Sequence, residues 1–281
     1  MNDVEADTVN EPAGEVLLPG TEPWSTGPAE AAIGVLLCHG FTGSPQSMRP
    51  WGEYLAERHP EYAIELPLLP GHGRPWRELQ KTRWPDWYTT LDRAFLDLRA
   101  RCGQVFLMGL SMGGGLALRL AEQHPAEVAG LVLVNPSVTR NKPTEALLPV
   151  LSKLIPAIPS IASDIKKPGM KETGTDRTPL KAAHSLSRFW TVVAADLPKV
   201  TAPMLVLRSA EDHIVHPRNS ALVLANVSST DKQEVVLGES YHVATLDHDA
   251  ELIFADSADF VARIGAGADT TEGTTQPEAA S

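Results

Sequence analysis

QVFLMGLSMGGG, residues 104–115, runs an apolar segment straight into a serine framed by glycines. Val105 to Met108 read as a strand covered on both faces. Gly109-Leu110-Ser111-Met112-Gly113 is then G-x-S-x-G, and small residues followed by Leu116, Leu120 and Ala121 open a helix. In that strand–turn–helix setting the serine sits on a turn too tight for side chains two residues before or after it. The turn lifts Ser111 Oγ above the sheet and aims the first N–H groups of the helix toward it. Ser111 is therefore the candidate nucleophile.

Reading outward from this turn, five further strands are expected: IGVLLC (33–38), YAIEL (62–66), VAGLVLVN (128–135), PMLVLRS (203–209) and EVVLG (234–238). Helical periods lie between them. Trp84, Trp87, Tyr88, Leu91, Phe95 and Leu98 recur at three- and four-residue steps, and Ala250, Ile253, Phe254, Phe260, Val261 and Ile264 mark a last helix. Strands alternating with helices give an α/β fold, a mainly parallel central sheet flanked by helices. One interval breaks the rhythm. Between Asn135 and Pro203 there is no convincing strand, and seven prolines fall from Pro136 to Pro179, a stretch too long for a connecting loop. It reads as an inserted cap over 136–190, between core parts 15–135 and 191–264. Leu147, Leu148, Leu151, Leu154, Ile155 and Ile158 form an apolar helical stripe there, part of it suited to roofing an apolar ligand site.

A serine hydroxyl needs a base to remove its proton, and the base needs a carboxylate to orient it. Both are expected later in the chain, acid first, on loops that follow strands. His242 comes directly after the last strand, in GESYHVATL; His213 and His216 fall in the preceding loop, where the acid is expected. In SAEDHIVHP, Glu211 and Asp212 compete, and Asp212 is favoured for its short side chain and the anchoring Ile214-Val215 after it. Acyl transfer also builds charge on a carbonyl oxygen, which two preorganised N–H donors must meet. Met112 N–H is one. The loop HGFTG (39–43) supplies the other from Phe41, with Gly40 and Gly43 turning the backbone inward and His39 bracing it.

The chain has 281 residues, 43% of them hydrophobic, and a net charge of −11. Residues 1–30 hold seven acids and no Lys or Arg, and residues 265–281 three acids and no base. The charge thus belongs to the ends, read as disordered tails over 1–14 and 265–281, and the body is nearly balanced. No basic stripe suggests nucleic acid. No run reaches the length of a membrane span, and the first residues do not read as a secretion signal. Two cysteines, Cys38 and Cys102, make no disulfide framework, so a cytoplasmic setting is the default. Neither H-E-x-x-H nor clustered Cys and His is present, and no metal or organic cofactor is expected.

With HGFTG, GHG (71–73), GLSMGG, EDHIV and SYHVATLDHD in this order, the chain resembles the α/β-hydrolase superfamily. More narrowly it is similar to its bacterial monoacylglycerol lipase and carboxylesterase group, over about residues 33–264. The resemblance implies a serine ester hydrolase with Ser111, Asp212 and His242 as triad and Phe41 and Met112 as oxyanion hole. It implies a lipid or ester substrate whose acyl chain lies under the cap. In SDIKKPGMKE it matches Glu172 to a glutamate that helps hold the glycerol hydroxyls; the plain alternative is a solvated charge. An exposed apolar cap face would suit a homodimer or transient contact with a membrane or micelle. A general carboxylesterase, a hydrolase of another bond and a non-catalytic binding protein are the rival readings.

Overall fold

In a computed structural model, which describes residues 17–140, 143–160 and 163–269, the apolar runs become the strands of one sheet. The chain forms β1 (Trp24–Thr26), β2 (Ala31–Cys38), α1 (Arg49–Arg58), β3 (Ala63–Leu66), α2 (Trp76–Leu79), α3 (Trp84–Arg99), β4 (Cys102–Leu110), α4 (Met112–Gln123) and β5 (Val128–Val134). After these come α5 (Leu148–Leu154), β6 (Ala157–Pro159), β7 (Arg177–Pro179), α6 (Leu180–Asp196), β8 (Met204–Ser209), α7 (Arg218–Asn226), β9 (Lys232–Leu237) and α8 (Ala250–Asp269).

The sheet has seven strands in the order β1-β3-β2-β4-β5-β8-β9. All pairs are parallel except β1 with β3. Strand residues alternate between two buried layers, as the pleat requires. Leu36, Leu107, Leu131 and Val206 pack with Trp87, Phe95 and Phe189 on one side. Val35, Leu37, Phe106 and Met108 pack with Trp51, Phe254 and Phe260 on the other. Each fully covered side chain of this size is worth about 1.5–3 kcal/mol, so two full layers fix the register.

Register places the site. Cys38 lies opposite Gly109 and Ser209 opposite Leu237, so the loops after β2, β4, β8 and β9 leave the sheet at one edge. Ligand sites of parallel sheets form there, outside the carboxyl ends of the strands.

The structure departs from the sequence reading in four places. The edge strand β1 was not expected; its three residues pair with β3 and carry too little pattern to show. Within the cap, β6 and β7 form an antiparallel ribbon in which two of the six residues are proline. The apolar stripe is not one helix: α5 ends at Leu154 because Ile155 precedes Pro156 and turns extended (φ −120°, ψ 120°), so Ile158 lies on β6. The boundaries drawn at 190 and 265 fall inside α6 and α8. Phe189 and Val193 carry α6 from the cap into the core, and α8 keeps its helical bonds to Asp269. The acidic tail over 1–14 and the remainder of the second tail, 270–281, lie outside the described residues. Among the described residues no helix is long and apolar enough to cross a membrane.

Candidate active site

The turn at Ser111 leaves no space for larger neighbours. A Cβ at Gly113 would lie 2.1 Å from the Cys38 carbonyl oxygen, and one at Gly109 would lie 2.4 Å from the Gly113 backbone. Ser111 itself takes φ 57° and ψ −116°, a conformation L-residues avoid. It is held there from β5: Ser111 N–H donates to Val134 O at 2.9 Å, and Ser137 N–H donates to Ser111 O at 3.0 Å.

Asp212 follows β8. One carboxylate oxygen accepts the N–H groups of Ile214 (2.8 Å) and Val215 (2.7 Å), and the other faces His242 Nδ1 at 2.8 Å. Its side chain is 2% exposed against 58% for Glu211, so the chain places Asp212 and not Glu211 against the imidazole. Burial pulls the His242 ring down, but the Asp212 charge and hydrogen bond, with Glu172 and Asp164 behind them, leave it raised above the ordinary histidine value. Burial likewise pushes the Asp212 carboxyl up, and His242 with the Val215 and Ile214 N–H groups outweighs it, leaving the carboxyl lowered. With Nδ1 engaged, Nε2 is the free nitrogen. Ser111 and His242 line the same cavity, and among the described residues the Ser111 hydroxyl forms no hydrogen bond of its own. Such bonds tighten when substrate arrives.

The loop HGFTG passes beside the serine, with the Gly40 Cβ position 3.5 Å from Ser111 Cβ. His39 braces it from beneath. Leu69 N–H donates to Nε2 (3.2 Å), so Nδ1 carries the proton and donates to Gly40 O (3.0 Å). Burial drives this ring down to about 4, and it stays neutral. The Phe41 ring lies against Trp87 at 5.7 Å, fixing the backbone between them. Among the described residues neither Phe41 N–H nor Met112 N–H has a protein acceptor, as expected for Met112 at a helix start.

The cavity over these groups has a volume of about 300 Å³. Leu148, Leu151, Ile155, Leu186, Trp190 and Ile214 give it apolar walls, and Glu172 enters beside Thr42. Burial raises the Glu172 carboxyl; Ser47, the charge of His242 and Ser163 act against it. Its Oε1 lies 2.3 Å from where a Gly43 Cβ would stand, so that glycine makes room for the carboxylate.

Three residues at the site escaped the sequence reading. Asn135 (φ 45°) ends β5, donating to His242 O at 2.9 Å while its own oxygen accepts Ser209 N–H at 2.8 Å. Asp247, fully buried, accepts the N–H groups of Lys166, Lys167, Tyr241 and His248 at 2.7–2.9 Å. Asp164, from the cap, accepts the N–H of His242 at 3.2 Å. A polar residue at a strand's end was the only signal, and it marked Asn135 alone.

A strained serine above a parallel sheet, a buried aspartate–histidine pair and a largely apolar cavity that Ser111 and His242 both line define a serine hydrolase of the α/β-hydrolase fold. Residues 29–249 match the family described as serine aminopeptidase, S33 (Hydrolase_4), and the chain belongs to that family. A thermostable monoacylglycerol lipase from Bacillus sp. (strain H-257) is 39% identical over 250 residues, covering 88% of this chain and 96% of that one. A carboxylesterase from Bacillus subtilis (strain 168) is 28% identical over 243 residues, covering 82% and 92%. A solved structure from the study of LipS and LipT, described as two metagenome-derived lipolytic enzymes, is 39% identical with a TM-score of 0.84, covering 88% of this chain and all of its own.

Proposed function

We propose that the protein hydrolyses monoacylglycerols to glycerol and fatty acid through an acyl-enzyme on Ser111. The observation that carries this reading is the cavity: largely apolar, lined by two carboxylates, Glu145 and Glu172, of which Glu172 lies in the electrostatic reach of His242. An acyl chain suits the walls, and Glu172 suits the glycerol hydroxyls, which donate to a carboxylate.

His242 Nε2 takes the proton as Ser111 Oγ attacks the ester carbonyl. Phe41 and Met112 N–H groups meet the oxyanion, and Asp212 holds the imidazole and stabilises its charged form. The imidazolium then protonates the glycerol oxygen, which leaves. A water molecule, deprotonated by His242, attacks the acyl-enzyme, and collapse returns the proton to Ser111 and releases the fatty acid. Leu147, Val150 and Leu154, exposed on the cap, suit transient contact with a lipid or micelle surface, or with a second copy of the chain.

Turnover of monoacylglycerols, p-nitrophenyl esters and aminoacyl amides by wild type and Ser111→Ala tests the reading. Monoacylglycerols should be preferred, and Ser111→Ala should lose ester cleavage while keeping its circular dichroism spectrum. Faster cleavage of short alkyl esters would make it a general carboxylesterase, preferred amide cleavage a peptidase. Turnover retained by Ser111→Ala would remove the mechanism.

A further inference from the structure

Both backbone groups of His242 are clamped. Its carbonyl is held from the sheet, by Asn135. Its N–H is held from the cap, by Asp164 Oδ2 at 3.2 Å. The same oxygen accepts the N–H of His213, one residue beyond Asp212, at 3.2 Å, and Oδ1 faces His213 Nδ1 at 2.8 Å. The Asp164 carbonyl accepts Val243 N–H at 3.0 Å. Four hydrogen bonds from one cap residue therefore reach the loop of the acid and the loop of the histidine together.

The surroundings keep this residue in place. Ser163, just before it, takes φ 65° and accepts Glu172 N–H at 3.0 Å. Lys166 and Lys167, just after it, give their N–H groups to Asp247, which also holds Tyr241. The donors around the Asp164 side chain are all N–H groups, which an acceptor-only carboxylate satisfies at once. An asparagine would offer a single oxygen and turn its own N–H₂ toward a donor.

We propose that Asp164 is a positioning residue for the reaction: through it the cap sets the spacing between the aspartate and histidine of the triad. This rests on the reading of Ser111, Asp212 and His242 given above. The cap then has two tasks, roofing the acyl chain and aligning the base.

Charge gives the role a signature. Burial lowers the His242 ring, and the charges facing it, Asp212 first, then Glu172 and Asp164, raise it. Around His213 stand Asp164, Glu211 and the Tyr241 ring, with Lys166 over that ring. Removing the Asp164 charge should move the titration of His242 to lower pH, which the loss of a mere packing group would not do.

The test uses the full chain with Asp164→Ala and Asp164→Asn. It follows the rate at which a fluorophosphonate labels Ser111 across pH, together with kcat and KM on a p-nitrophenyl ester. The labelling rate and kcat of Asp164→Ala should fall about tenfold to a hundredfold, the scale of a misplaced reacting group, with KM nearly unchanged. Asp164→Asn should lie between it and wild type. In both, the acidic limb of the labelling profile should move to lower pH. Wild-type rates in folded variants would overturn the proposal, as would a loss confined to KM, or a loss with the limb unmoved. If Asp164→Ala fails to fold, Asp164→Asn decides. A wild-type protein that the probe does not label would instead sink the reading of Ser111.

Discussion

Ser111 carries a side chain in a backbone conformation that costs on the order of 1–3 kcal/mol. The turn is over-determined by Gly109, Gly113 and the bonds from Val134 and Ser137, so the strain persists. Ser111→Gly should relieve it where Ser111→Ala cannot. Both variants should be inactive, and urea denaturation should find the glycine variant more stable by about 1 kcal/mol. The same tightness makes this residue legible in sequence, since only glycines fit two residues before and two after it. Asp212 and His242 are legible because each falls on a loop right after a strand. Asp164 and Asn135 are another matter. They meet His242 across 78 and 107 residues of chain, through backbone groups that any sequence supplies. An aspartate among lysines and prolines reads as a solvated charge until the fold brings those N–H groups to it.

At the scale of elements, the cap is sewn to the loop after β2. Thr175 N–H donates to Thr42 O at 2.8 Å, Ser44 Oγ donates to Thr173 O at 2.6 Å, and Thr173 N–H donates to Gln46 Oε1 at 2.8 Å. Gly174 lets the two backbones approach: a Cβ there would lie 2.1 Å from Thr42 O. Gly174→Ala should force them apart and destabilise the fold by about 1–3 kcal/mol, the usual cost of overpacking. Glu172 rides on the same stretch, so KM for monoacylglycerols should rise as well; denaturation curves and steady-state kinetics check the two halves. The central strands could be read from sequence because burial on both faces makes them continuously apolar. The ribbon of β6 and β7 could not. Its strands have three residues each, and what holds them is their mutual pairing and the contact of β7 with α2 and α6 rather than any pattern of their own.

For the molecule as a whole, a buried carboxylate outside the cavity lining contributes to how stability follows pH. Glu122, on α4, has a fully covered side chain; one oxygen meets Arg119 at 2.9 Å and Oε1 has no partner. Burial pushes the carboxyl up to about 7, with Arg119 only partly offsetting it. The folded protein thus keeps a proton that the unfolded chain releases at lower pH, and stability falls as pH rises between the two values. Glu122→Gln should gain on wild type by on the order of 2 kcal/mol as pH goes from about 5 to about 8, measured by urea denaturation at both ends.

The rims of the sheet carry a consequence of their own. Open β-structure invites a neighbour to add a strand and go on adding. Here one rim, β1, is three residues long, and the other, β9, turns Lys232, Gln233 and Glu234 to solvent. A newcomer along β9 would have to dehydrate that polar row, and along β1 it would find almost no backbone to bond. Growth into fibrils is thereby discouraged at both margins.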